Sequence, residues 1–177
     1  MRFALYLITF FCGFSTSVNA EDMPPMPGER YDIGGYSLHI NCLGKGNPTV
    51  IMDVGLGDDS SDWQLLFKQS SKITHTCIYD RAGYGWSDYG PRPRTSRRIA
   101  SELMILLQQA NIAPPYILVG HSFGGFNLRL FASFFPKTVE GMILIDASHE
   151  LQYDRLNIRL PAPYKGRQEY CHHPSST

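Results

Sequence analysis

The stretch Tyr116-Ile117-Leu118-Val119-Gly120-His121-Ser122-Phe123-Gly124-Gly125 decides the fold. Its first four residues form a short, continuously apolar run suited to a buried strand, and a helical pattern runs from about Phe123 to Phe135, where Pro136 stops it. Between the two, Gly120-x-Ser122-x-Gly124 sets small residues on both sides of one serine. A sharp, strained strand-to-helix turn demands that spacing, because larger flanking residues would collide. The turn lifts the serine hydroxyl above the sheet, and the helix aims its first N–H groups at the same point. The strand–turn–helix setting, rather than the five-residue string, carries the weight of this reading.

Outward from the turn the chain alternates strand and helix patterns. Residues 30–33 and 36–42 read as strands joined by a hairpin at Gly34-Gly35, and Thr49 to Val54 as a buried strand. The loop from Gly55 to Asp62 leads to a short helix starting near Trp63, and His75 to Tyr79 forms the next strand. After the loop from Asp80 to Pro93, Thr95 caps a helix with Ile99, Leu103, Leu106, Leu107 and Ala110 on one face; Pro114 and Pro115 end that segment. Val139 to Ile145 is a further buried strand, ending at Asp146. Nearly continuous apolar strands alternating with helices predict the α/β class, a mostly parallel sheet with helices on both faces, over residues 30–148. Residues 149–177 lose the period and read as the start of a cap or a tail.

Among the 177 residues, 16 basic side chains balance 16 acidic ones, so the chain carries no electrostatic footprint for nucleic acid or an anionic membrane. Arg2, the apolar run from Phe3 to Phe14 and the small residues of Val18-Asn19-Ala20 read as a secretory signal peptide over residues 1–20, placing the mature chain in a secreted or periplasmic location with no membrane span. Residues 21–29 are a proline-rich lead-in. Cys42, Cys77 and Cys171 then remain, and in an oxidising compartment one pair plus one leftover thiol is the expectation.

Three motifs in order resemble the α/β-hydrolase superfamily. Gly120 to Gly125 (GHSFGG) is similar to its nucleophile motif, Asp80 to Asp88 (DRAGYGWSD) to the loop after its fourth strand, and Val54-Gly55-Leu56-Gly57 sits where that family keeps its oxyanion loop, with Val-Gly replacing the usual His-Gly. The resemblance implies that Ser122 is the nucleophile, that the N–H groups of Leu56 and Phe123 form the oxyanion hole, and that His121 shapes the turn. It implies a small-molecule acyl substrate, an ester, thioester, amide or lactone; relatives that displace halide or open epoxides use a carboxylate at the serine position. No cofactor and no metal are expected. The family's sheet order makes the second and fourth strands neighbours, which brings Cys42 and Cys77 within reach of a disulfide; two buried free thiols are the alternative.

The acid and base are harder to assign. The resemblance orders them as Ser, acid, His, with the His after the last strand. One strand follows the turn here, so the chain reads as C-terminally truncated against a family domain of roughly 250 residues. Asp146 is the candidate acid. His149 reads as a surface residue, and His172 and His173 lie in the tail without a strand end to support them. An inactive remnant lacking the base is therefore the alternative to a working enzyme. The segment from Met142 to Ile145 is expected to form an open apolar edge and to limit solubility.

Two rival patterns are weaker. Gly55-x-Gly57-x-x-Ser60, with Asp80 about twenty residues on, imitates a dinucleotide fingerprint but lacks its third glycine and sets Asp58 and Asp59 where a pyrophosphate would lie. His149-Glu150-Leu151-Gln152-Tyr153 begins like a zinc motif and ends in tyrosine.

Overall fold

A computed structural model describes residues 26–149 and 151–152. The proposed signal peptide, Cys171, His172 and His173 lie outside the described residues. Six strands form one sheet in the order β1-β2-β4-β3-β5-β6: β1 (Glu29–Asp32), β2 (Ser37–Leu43), β3 (Thr49–Asp53), β4 (Thr76–Tyr79), β5 (Tyr116–His121) and β6 (Val139–Ile145). The β1–β2 and β2–β4 pairs are antiparallel, and β4, β3, β5 and β6 run parallel. The predicted mostly parallel α/β sheet is therefore present.

Side chains alternate across the pleat, so each central strand feeds two cores. Val50 and Met52, Ile78 and Val119 pack with Phe67 of α1 (Gln64–Ser70). Ile51, Cys77, Tyr79, Tyr116 and Leu118 pack on the other face, against α2 (Ser96–Gln109) and α3 (Phe123–Phe134). Thr95 caps α2 by accepting from the Arg98 N–H at 3.3 Å, and Ile99, Leu103, Leu106 and Leu107 are buried as their spacing predicts. Pro136 opens a single 3-10 turn, Pro136–Thr138, before β6.

The hairpin has a device that its two glycines did not reveal. The Asp32 carboxylate accepts from the N–H groups of Gly34 and Gly35, at 2.7 and 2.8 Å, and those bonds hold its pKa below the usual carboxylate range. Cys42 and Cys77 are directly opposed in the β2–β4 register, Cα atoms 4.1 Å apart, and form a disulfide, so the free-thiol alternative is set aside. β6 has β5 as its one neighbour among the described strands; Ile143 is 54 % and Leu144 44 % exposed.

Candidate active site

Ser122 stands between the end of β5 and the start of α3 with φ 48° and ψ −118°, a conformation that costs a non-glycine residue on the order of 1–3 kcal/mol. Packing enforces it. A Cβ on Gly120 would lie 2.5 Å from the Gly125 Cα, one on Gly124 would lie 2.1 Å from the Asp53 carbonyl oxygen, and one on Gly125 would meet the Ala147 Cβ at 2.5 Å. The glycine spacing is thus a record of three close approaches: turn against helix, helix against β3, and helix against the segment after β6. The serine itself is half-buried, and its side chain makes no capping bond to α3.

The peptide groups beside Ser122 are pinned from behind. Its N–H donates to the Ile145 carbonyl at 3.1 Å, and its carbonyl accepts from the N–H groups of Ser148 at 2.9 Å and Phe126 at 3.4 Å. In a trans peptide the C=O and the following N–H point in opposite directions. Holding the Ser122 carbonyl therefore aims the Phe123 N–H the other way, and as the first residue of α3 Phe123 has no intrahelical acceptor for it.

The loop after β3 is held by the same logic. Arg81, buried to 3 % exposure, donates through Nη1 to the Asp53 carboxylate and to the Val54 carbonyl (2.6 Å), and through Nη2 to the Gly55 carbonyl. The Gly55 carbonyl shares its peptide plane with the Leu56 N–H, so the guanidinium sets the direction of that N–H. The Leu56 side chain is 69 % exposed, leaving the backbone as what this residue offers the site. Asp53 also accepts from the Tyr79 hydroxyl at 2.9 Å and from Asn127 Nδ2 at 3.3 Å, tying β3, β4 and α3 together under the turn. Burial opposes the charge on Arg81, but Asp53 beside it outweighs that and raises its pKa further. The Tyr79 hydroxyl is pushed well above its ordinary range, by burial first and then by Asp53. This network was not seen in the sequence; its signal was two opposite charges, Asp53 and Arg81, at the ends of otherwise apolar strands, where burial requires pairing.

Asp80 gives the DRAGYGWSD loop its shape. Its carboxylate accepts from the N–H groups of Ser60 (2.7 Å) and Trp86 (3.1 Å) and the Ser60 hydroxyl (3.1 Å), and lies 2.7 Å from His39 Nδ1. Burial alone would raise its pKa; His39 and the two N–H groups overcome that and lower it. Asp80 and Ser60 are thus consumed in holding the loop together, which disposes of the dinucleotide pattern.

Of the candidate acid and base residues, Asp146 follows β6 between two residues, Ile145 and Ser148, that bond the Ser122 backbone. It is exposed, has φ 43°, and its carboxylate accepts no hydrogen bond from a described residue. His121 points away from a base's position: its ring stacks on Trp63 at 5.5 Å, its Nδ1 lies 3.7 Å from Asp58, and a Cβ on Gly55 would meet that Nδ1 at 2.9 Å. Among the described residues no imidazole is hydrogen-bonded to the Ser122 hydroxyl. His149 is exposed and bonds the local turn, its Nδ1 accepting from the Leu151 N–H at 3.1 Å.

The family model for the alpha/beta hydrolase fold matches residues 48–169. The chain belongs to the alpha/beta hydrolase fold family. It is 32 % identical over 119 residues to the uncharacterized protein YqjL of Bacillus subtilis, covering 67 % of this chain and 47 % of that one. It is equally identical over 138 residues to a probable transporter, efuK, of Hormonema carpetanum, covering 73 % of this chain and 20 % of that one. Among solved structures it superposes with a TM-score of 0.67 and 16 % identity on Est816, described as an N-acyl homoserine lactone degrading enzyme, over 80 % of this chain and 52 % of that one. The chain spans less than half the length of the curated relatives it matches first.

Proposed function

We propose that this chain carries the nucleophile half of a serine hydrolase that acts on an ester, thioester, amide or lactone carbonyl through an acyl-enzyme. Ser122 attacks the carbonyl carbon, and the oxyanion that forms lies between the Leu56 and Phe123 N–H groups. The observation that carries this reading is the pinning of both peptide planes, by Arg81 at the Gly55 carbonyl and by Ser148 and Phe126 at the Ser122 carbonyl. Both donors are oriented before any substrate arrives, which is the condition for an oxyanion hole to lower a barrier; one such donor contributes about 3–4 kcal/mol. The Est816 likeness supports an acyl carbonyl as the reacting centre, since a lactone is a cyclic ester. The Cys42–Cys77 bond supports an exported protein.

Asp146 serves as the acid in this proposal, its backbone already carried to the turn by Ile145 and Ser148. A second reading, an elbow without its base, is favoured by the lack of any imidazole bonded to Ser122 among the described residues. Labelling the full chain with a fluorophosphonate separates the two, because that reagent modifies a serine whose proton has an acceptor. Stoichiometric labelling lost in Ser122→Ala supports the hydrolase; folded protein that stays unlabelled supports the second reading.

A further inference from the structure

Away from Ser122, from the middle of β3 toward its start, two cysteine sulfurs and an imidazole nitrogen converge. The register sets Cys77 beside Ile51 and Asp53 beside Gly120, so along β3 the cysteine pair lies about 7 Å, at ~3.3 Å per residue, from the elbow end, with His75 two residues further off. Here Cys42 of β2 faces Cys77 of β4, and His75, two residues before Cys77, projects from the same face. The Sγ atoms of Cys42 and Cys77 and a ring nitrogen of His75 all lie within 4.8 Å of one another, with His75 Nε2 3.9 Å from Cys77 Sγ. A tetrahedral zinc ion with Zn–S near 2.3 Å and Zn–N near 2.0 Å separates such a pair by roughly 3.6 Å.

Two further observations fit a ligand set rather than a cross-link alone. His75 Nδ1 lies 3.1 Å from the Thr49 hydroxyl, whose residue is buried. Donating Nδ1–H to that oxygen leaves the lone pair on Nε2, the nitrogen beside the sulfur, which is how an outer partner fixes a metal-binding tautomer. Cys42 and His75 also line a cavity of about 230 Å³, together with Glu29, Tyr31 and Ile112. The cavity provides an entry path and room for a water as fourth ligand.

We propose that reduction of the Cys42–Cys77 disulfide converts this corner into a Cys-His-Cys site for a soft divalent ion of the zinc type. Reduction by a phosphine adds two electrons and two protons to the disulfide and turns the phosphine and a water into phosphine oxide. The ion then displaces the two thiol protons and takes two thiolates and the neutral His75 imidazole. Disulfide and metal exclude each other, so the site is linked to redox state.

The test uses the full chain with Cys12→Ser, Cys171→Ser, His172→Ala and His173→Ala, which removes the other soft ligands of the leader and tail. Titration of the phosphine-reduced protein with Co²⁺ should give one equivalent of sulfur-to-cobalt charge-transfer absorption, reversed by Zn²⁺, and the oxidised protein should give none. In competition with a chromophoric chelator, His75→Gln should weaken Zn²⁺ binding tenfold or more, and Thr49→Val about tenfold through the outer bond alone. Cobalt absorption equal in oxidised and reduced protein, no absorption after reduction, or unchanged Zn²⁺ affinity in His75→Gln would each overturn the proposal. Because the oxidised-against-reduced comparison needs no substitution at the site, it stands even where a cysteine variant fails to fold.

Discussion

Ser122 and Asp146 close neighbouring parallel strands, and both hold a left-handed φ, 48° and 43°, yet their surroundings differ in kind. At Ser122 the residue's own N–H and carbonyl are both bonded, three glycines admit close packing, and a buried charge network lies beneath. Around Asp146 the carboxylate faces solvent without a described partner, on a strand whose Ile143 and Leu144 are exposed. The strained turn at Ser122 is therefore specified by this chain's own contacts, whereas Asp146 is placed only through the backbone it shares with β6. Rigidity is here concentrated on one of the two strands.

The hardest blow to that comparison is aimed at Arg81. Arg81→Met keeps the side-chain length but strands the buried Asp53 carboxylate and frees the Val54 and Gly55 carbonyls. Loss of one partner from a buried ion pair costs about 3–5 kcal/mol, and the urea midpoint should fall accordingly. Fluorophosphonate labelling of whatever folded protein remains should slow, because the Leu56 N–H loses its fixed direction. If stability drops and labelling of the folded fraction stays at the parent rate, Arg81 supports the fold without orienting the loop.

Next comes the glycine contrast. Gly124→Ala places a Cβ 2.1 Å from the Asp53 carbonyl oxygen, backbone that cannot move without unpinning β3, so a loss of about 3 kcal/mol is expected, the upper end for overpacking. Gly141→Ala in β6 meets nothing nearer than Ile117 Cγ1 at 4.0 Å and should fall within about 0.5 kcal/mol of the parent. Equal effects at the two positions would erase the distinction between the two strands.

How much of this was legible beforehand follows from the range over which each feature acts. The turn at Ser122, the Thr95 cap and the mostly parallel α/β class are written in neighbouring residues or in apolar period, and the structure has them where those patterns lie. The Cys42–Cys77 bond was reachable only through the resemblance, since two strands 35 residues apart become neighbours by topology, not by local pattern. The Asp53–Arg81–Asn127 network joins residues up to 74 apart and has no local signature at all. Asp146 is the converse: the sequence offered it by position, and no described residue bonds its carboxylate.

A smaller effect is expected at Asp80, on the elbow side. Its folded pKa lies below the unfolded value of about 3.9, so its contribution to stability is complete above that value and is lost as pH falls through the folded one. Asp80→Asn should cost about 2 kcal/mol at neutral pH, from the charge-assisted bonds to His39, Ser60 and Trp86, and should flatten this acid limb of the unfolding profile. An unchanged acid limb would locate the titrating group elsewhere.

The finest test replaces each strand-end residue by glycine, which adopts positive φ without a Cβ penalty. Ser122→Gly abolishes any chemistry at that hydroxyl, but it should raise stability by about 1–2 kcal/mol, because φ 48° with ψ −118° is imposed on serine by the packing of Gly120, Gly124 and Gly125. Asp146→Gly should gain less than about 1 kcal/mol, since aspartate tolerates a left-handed backbone and glycine adds entropy to the unfolded chain. The order of the two gains is the point. Strain at Ser122 is sustained by three contacting elements and cannot relax in the native state, whereas an exposed residue past the end of β6 can shed strain by small movements of its own. A larger gain at Asp146 than at Ser122 would mean that the tightly held end of the sheet is the β6 end, and the asymmetry drawn between the two strands would have to be reversed.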